Sequence, residues 1–329
     1  MAGMAFVNSC AMGVCLFFSL SAYLITDLLL NEREKCAGLS VRKFYMRRAL
    51  RIWPLYFLAI GIGMVLALLL HHKNDITGFV FFLLFTGNFY CAAFGFLRNP
   101  MMILWSISIE EQFYLLWPWA MRWFSRRGLL MCALSFIAIA NVTLFTFGER
   151  HVNTGTVVWA NTFVQFEMFA TGILLALAKK RLVWSNPLIG SMLAISGPVL
   201  WFVSCFVFRA KPSGDEAAIN GATLMIGYGL VALGCAAVLQ GFCMIGSSYV
   251  PRHIANLGKI SYGLYVYHVL IIELVIGILY LRRGVIYFAI SAFLSLLVTI
   301  LAAKFSYACF ESPFLRLKRR FEVLHTRPI

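Results

Sequence analysis

Near the middle of the chain a run reads Leu104-Trp105-Ser106-Ile107-Ser108-Ile109-Glu110-Glu111-Gln112-Phe113-Tyr114-Leu115-Leu116-Trp117-Pro118. At helical spacing Ser106, Glu110, Tyr114 and Trp117 share one face, so a polar stripe enters an otherwise apolar helix. A carboxyl group at or below a bilayer interface is costly to keep and points to function. Glu110 could act as a general base or hold a hydrogen-bond donor in place. In the plainer alternative Glu110 and Glu111 stand at the headgroup level and end the helix.

A second cluster is basic and aromatic, Val41-Arg42-Lys43-Phe44-Tyr45-Met46-Arg47-Arg48-Ala49-Leu50-Arg51-Ile52-Trp53-Pro54. Arg47 and Arg51 lie one helical turn apart. Two planar, permanently charged forks at that spacing suit a pyrophosphate or a 3′-phosphate, and the aromatic neighbours suit a purine. The same residues would also serve as an anchor on anionic lipid headgroups. Elsewhere, Glu167 sits in the middle of an apolar run and Glu273 follows Tyr265-Val266-Tyr267-His268, and both carboxyls are expected to need polar partners. Ser261, Tyr265, His268 and Ile272 share a stripe, which predicts that His268 faces protein, as a packed residue or as a polar member of a site. Glu311, before Pro313 and a basic tail, reads as a capped helix end or as the partner of a nearby cation.

The elements that must position these groups are membrane helices. The chain of 329 residues is 61% hydrophobic with a mean hydropathy of +0.84, against roughly 45–50% apolar residues in soluble domains. The apolar excess comes in bilayer-length runs at about 5–30, 52–70, 105–122, 128–147, 156–178, 187–208, 219–246, 260–281 and 284–310. The stretch from Ile76 to Phe96 is interrupted by Thr86-Gly87-Asn88 and could span or re-enter. The expectation is an all-α polytopic transmembrane bundle of about nine to ten spans, forming a single membrane domain over 1–329 with no separate soluble domain.

If Ile76–Phe96 does not cross, 33–51, 122–127, 179–181, 252–259 and 316–327 fall on one side and carry 20 of the 28 Lys and Arg. Lys73, Arg98, Arg150, Arg209, Lys211, Arg282 and Arg283 fall on the other. The positive-inside rule favours that arrangement. The net charge of +15 then meets anionic lipid on the cytoplasmic face, and no nucleic-acid partner is needed. The nine cysteines show no CxxC pair, so neither a metal site nor a disulfide framework is expected. The first residues lack the pattern of a cleaved signal peptide and are placed outside by the same topology.

These segments resemble the acyltransferase-3 family of membrane O-acyltransferases. Trp105 to Pro118 is similar to its signature, Gly13 to Ile25 to its second helix, and Phe44 to Pro54 to its Arg-x-x-x-Arg element. Ile260-Ser261-Tyr262-Gly263-Leu264-Tyr265-Val266-Tyr267-His268 and Phe310-Glu311-Ser312-Pro313-Phe314 are similar to its C-terminal pair. The resemblance implies an enzyme that moves an acyl group, in the first instance acetyl, from a cytoplasmic acyl-CoA to a hydroxyl of a cell-surface glycan or polysaccharide precursor. It implies a multi-pass protein of a bacterial inner membrane, with membrane lipids as neighbours and with acyl-CoA as donor substrate rather than a bound cofactor. Arg47 and Arg51, with Arg48 between them, would hold the coenzyme phosphates. Glu110, Ser106, Ser108 and Tyr114 would line the transfer site, and Glu167, His268 and Glu311 are further candidate polar positions.

The departures are specific. Cys15 stands where the family usually has Asp, and Ala22 where it usually has Gly. The family's first helix carries an Arg and, eleven residues on, a histidine regarded as the catalytic base. No such pair occurs here, so the chain reads as lacking that helix, through a start site upstream or a real loss. His71 and His72 do not supply the base, since the topology puts them across the membrane from Arg47. Two other functions remain open on these residues: a membrane transporter of glycans or small acylated molecules, and a non-catalytic truncated member of the family.

Overall fold

The computed structural model describes residues 2–36, 38–71, 73–182, 186–210, 217–246, 249–279 and 285–323. His72, Lys211, Arg282, Arg283 and Arg327, which entered the histidine and basic-loop assignments above, lie outside the described residues. Almost everything described is helix: α1 (Ala2–Ala11), α2 (Gly13–Lys35), α3 (Val41–Leu69), α4 (Lys73–Leu83), α5 (Gly87–Phe94), α6 (Trp105–Trp123) and α7 (Arg126–Glu149). Next come α8 (Thr162–Leu182), α9 (Pro187–Val207), α10 (Gly221–Ile245), α11 (Arg252–Lys259), α12 (Ser261–Leu279), α13 (Val285–Ser306) and α14 (Ser312–Lys318). Helix is the structure a bilayer demands, because it satisfies each backbone N–H and C=O within its own segment.

Eight helices among the described residues are long and apolar enough to cross a membrane. The chain is therefore a multi-pass membrane protein. Its outer surface agrees, with Phe288, Ile278 and Phe305 each more than two-thirds exposed. The count falls short of the nine to ten expected for two reasons. The run 105–122 is a helix, but Glu110, Glu111, Gln112 and two serines in its first half, with Arg122 near its end, lower its hydropathy. The stretch 76–96 is broken. Thr86 donates its hydroxyl to the Phe81 carbonyl at 3.0 Å, closing the last turn of α4, and Phe85 takes a left-handed φ of 55°. At 1.5 Å per residue α4 and α5 reach only about 16 and 12 Å, against a hydrocarbon core of about 30 Å.

The helices form two compact units, Met1–Leu39 with Asn88–Phe96 and Ser108–Tyr249, and Ser40–Gly87 with Leu97–Ile107 and Val250–Ile329. In the first unit small residues set the packing, because water does not drive helices together inside a bilayer and close contact must. A Cβ on Gly172 of α8 would strike the Ser19 carbonyl oxygen and come within 2.8 Å of the Tyr23 nitrogen, both in α2. A Cβ on Gly197 of α9 would stand 2.6 Å from the Gly234 carbonyl of α10, and one on Gly190 would stand 2.8 Å from that of Gly241. At one end of this unit Arg33 donates to the carbonyls of Met121 (3.0 Å) and Phe124 (2.7 Å), Arg126 donates to Leu177, and Lys179 pairs with Asp27 at 2.8 Å. The basic ends of α2, α6 and α8 and the basic start of α7 are thus gathered together. At the other end the Gly221 N–H donates to Glu149 at 3.0 Å, tying the start of α10 to the end of α7.

In the second unit Ser40 caps α3, accepting from the Lys43 N–H. Asn99 caps the short turn Pro100–Leu104 through the Met101 N–H (3.0 Å) and donates to the Gly63 carbonyl of α3 (2.9 Å). Tyr262 of α12 donates to the Ile52 carbonyl at 2.9 Å. Each of these bonds gives a buried or half-buried polar group a partner that hydrocarbon cannot supply.

Because the atoms facing Gly172 are backbone, Gly172→Val is expected to lower stability by about 2 kcal/mol or more. Gly277→Val, where nothing lies within 4 Å, should change it by less than about 0.5 kcal/mol. Thermal unfolding of the purified protein in detergent compares the two, and equal shifts would remove the close-contact account of the α2 and α8 pairing.

Candidate active site

In the first unit Glu110 lies one and a half turns into α6 with 2% of its surface exposed, so it does not end the helix at a headgroup layer. Ser108 and Tyr114 are buried with it. The Tyr114 and Ser21 hydroxyls share a short hydrogen bond, and Trp117 donates to Thr26 at 2.9 Å, which fixes this face of α6 on α2. Phe113 stacks on Phe169 of α8 with centroids 4.3 Å apart and planes 7° apart. Beside Glu110 and Glu111, Gln112 enters a closed polar ring. It donates to Asn88 Oδ1 at 2.8 Å and accepts from the Thr162 hydroxyl at 2.7 Å, while Asn88 donates to Thr162 (2.9 Å) and to the Ala160 carbonyl (3.1 Å). Cys15, at the position where Asp is usual, is buried with its thiol 3.8 Å from Gln165 Oε1. α6 thus buries Ser108, Glu110 and Tyr114 in the first unit, where Phe113 packs it on α8.

Ser106, on the first turn of α6, is buried in the second unit. Its hydroxyl meets that of Tyr265 on α12 and donates to the Ile103 carbonyl at 3.2 Å, and Tyr265 donates to the same carbonyl at 3.0 Å. The expected stripe of Ser106, Glu110 and Tyr114 is therefore buried throughout, with α12 holding Ser106 and α2 holding Tyr114. Next to Tyr265, His268 is half-buried, and its Nδ1 lies 2.6 Å from the Tyr265 carbonyl. The expected protein-facing stripe on α12 holds for these two residues. Ser261 and Ile272, at the two ends of the same stripe, are exposed.

The basic cluster also has a defined shape in the second unit. Arg47 is buried and donates from Nη1 to the Phe321 carbonyl at 3.0 Å. Arg48 is half-buried with its guanidinium 5.7 Å from the Phe44 ring, and Arg51 is exposed. Lys318 of α14 stands within electrostatic reach of Arg47, Arg48 and Arg51. Four cations thus converge with Glu311 and Glu322 as neighbouring carboxylates. Such a cluster is arranged for an anion with several charged oxygens.

Of the two readings of Glu311, the side-chain cap is absent and the neighbouring cation is present. It precedes α14 without a side-chain cap; instead it is buried, accepts from Ser306 at 3.1 Å, and faces Arg51. Tyr267 donates to Ser306 at 3.1 Å, so Tyr267, Ser306 and Glu311 form one line. Glu273 is exposed on α12. Glu167 is buried among α7, α8 and α10. The reading of residues alone missed Asn88 and Thr162, Lys318, and the Phe321 carbonyl. Gln112 stood in the quoted motif, but nothing local in the sequence pairs it with residues 24 and 50 positions away.

A multi-pass helical membrane protein with a buried carboxyl and a convergent cation cluster is the class that these features define. The chain belongs to the acyltransferase-3 family, whose profile, described as an acyltransferase domain, matches residues 2–304. It is 26% identical over 325 residues to the peptidoglycan O-acetyltransferase OatA of Listeria monocytogenes, covering 92% of this chain and 50% of that protein. It is 28% identical over 327 residues to the putative peptidoglycan O-acetyltransferase YrhL of Bacillus subtilis, covering 93% and 50%. It is 25% identical over 335 residues to nodulation protein 10 of Rhizobium leguminosarum bv. viciae, covering 94% and 83%. The chain therefore spans about half the length of the first two of these relatives. No solved structure matches it significantly.

The ring of Asn88, Gln112 and Thr162 predicts strong coupling. Asn88→Ala and Gln112→Ala should each destabilise the protein by about 1–3 kcal/mol, since each leaves buried polar atoms unanswered. Together they should cost less than the sum of the two, by about 1 kcal/mol. Additive losses in a double-mutant cycle would mean that the ring does not form.

Proposed function

We propose that this chain is the membrane portion of an O-acyltransferase that moves an acetyl group from acyl-CoA to a hydroxyl of a cell-surface glycan, in a bacterial cell membrane. The observation that carries the reading is the carboxyl of Glu110, almost fully buried on the face of α6 whose Tyr114 hydroxyl is bonded to Ser21 of α2. Membership of the acyltransferase-3 family supports acyl transfer. The names of two relatives, which specify peptidoglycan O-acetylation, support acetyl as the group and a glycan as the acceptor.

In this reading the acceptor hydroxyl gives up its proton as its oxygen attacks the thioester carbonyl, and the thiolate of CoA leaves. Glu110 takes that proton or orients the group that does. The neighbouring side chains exclude water, which would otherwise hydrolyse the acyl group. Arg47, Arg48 and Arg51, with Lys318, hold the diphosphate and 3′-phosphate of the coenzyme through charge-assisted hydrogen bonds. The donor therefore binds as a substrate and leaves as free CoA.

Glu110→Gln in the full-length protein should lower glycan acetylation by about a hundredfold or more without changing the amount of folded protein. The measurement is base-released acetate from purified surface glycan, and retained acetylation would reduce Glu110 to a structural residue. Arg47→Ala and Arg51→Ala should each weaken acetyl-CoA binding by roughly tenfold or more, the worth of a charge-assisted contact. Unchanged affinity in both, measured by calorimetry on detergent-solubilised protein, would remove the coenzyme role from this cluster.

A further inference from the structure

The proposed acyl transfer leaves one feature of the first unit unused. A groove of about 500 Å³ lies between α7, α8 and α10, and Ile137, Leu175, Ile226, Gly229 and Ala236 are among its walls. Ile226 and Leu233 on its rim are 51% and 60% exposed, so it opens sideways, toward the hydrocarbon that surrounds membrane helices. Glu167 also lines it and is only 7% exposed, and Oε2 of this carboxyl is buried with no hydrogen-bond partner among the described residues. An unanswered buried carboxyl oxygen asks for a ligand that carries a hydrogen-bond donor. The carboxyl meets the groove through its other oxygen: a Cβ on Gly229 would find only Glu167 Oε1, at 3.9 Å, so a donor held in that open space would reach Oε1.

The groove also has a direction. From Glu167 to Leu175 along α8, and from Ile226 to Ala236 along α10, the walls run about 12 and 15 Å. Glu167 lies on the second turn of α8, and the Lys179–Asp27 ion pair lies toward the other end of that helix, with the cations of α2, α6 and α7. The cationic end is the cytoplasmic one by the positive-inside rule, so the carboxyl is in the outer half. A tail lying toward Leu175 and Ala236, with its polar end at Glu167, has the orientation of an outer-leaflet lipid.

We propose that this groove binds one hydrocarbon chain of an outer-leaflet amphiphile whose hydroxyl, placed next to the chain, donates to Glu167. The site is independent of the acyl-CoA reading, and its test does not involve acetylation. Full-length protein in phosphatidylcholine nanodiscs is photolabelled with a monoacylglycerol carrying a diazirine in its chain, and the labelled peptides are mapped by mass spectrometry.

The expected result is label concentrated on the groove-lining parts of α7, α8 and α10. Gly229→Leu puts a side chain into the open space and should lower that label about tenfold or more. Glu167→Leu should lower it about tenfold, the worth of one hydrogen bond to a buried carboxyl, and Glu167→Gln, which still accepts, should restore most of it. On the unaltered protein, unlabelled monoacylglycerol should compete and an alkane of equal length should not. Label spread evenly over the lipid-facing helices, label unchanged in Gly229→Leu, or equal competition by the alkane would each overturn the proposal.

Discussion

Hydrocarbon cannot hydrogen-bond, and this constraint organises the whole molecule. A polar side chain drawn into a bundle of bilayer-length helices must find its partner in the protein. The polar groups of α6 show how far that requirement reaches. Gln112 is answered by Asn88 and Thr162, Tyr114 by Ser21 and Trp117 by Thr26 in the first unit, and Ser106 by Tyr265 in the second. Each bond ties α6 to a segment far away in the chain, so the residues suited to chemistry are also those that fix the helices.

Close backbone contact makes such pairing possible. Short side chains such as Asn88, Thr162 and Ser21 reach a neighbouring helix only where the axes approach, and glycines such as Gly172 allow that approach in the first unit. The same rigidity suits an acyl-transfer site, since a reactive thioester must be kept from water while the acceptor is held in place. The second unit meets a different demand. Its cations repel one another, and Glu311, Glu322 and the Phe321 carbonyl offset that repulsion.

Much of this was legible in the sequence. Apolar run length gave the helical membrane class, because the thickness of the hydrocarbon core sets the number of residues needed to cross it. The ordered motifs gave the family. The i, i+4 spacing of Ser106, Glu110 and Tyr114 placed them on one buried face, and Thr86-Gly87-Asn88 marked a real break. These features are local: they depend on composition and on the 3.6-residue turn, which a single segment carries by itself.

Tertiary structure alone decided the partners. Lys318 joins Arg47, Arg48 and Arg51 across more than 260 positions, and Asn88 meets Thr162 across 74. Glu311 turned out to accept from Ser306 rather than cap α14, Glu273 proved to be exposed, and Glu167 proved to be buried in a lateral groove. Spacing shows which face of a helix a residue occupies. It does not show what that face meets, because helix rotation and contact are set by small residues and polar bonds supplied from elsewhere in the chain. The sequence by itself determined the elements and the chemistry they carry, and the packing of those elements determined which groups could act together.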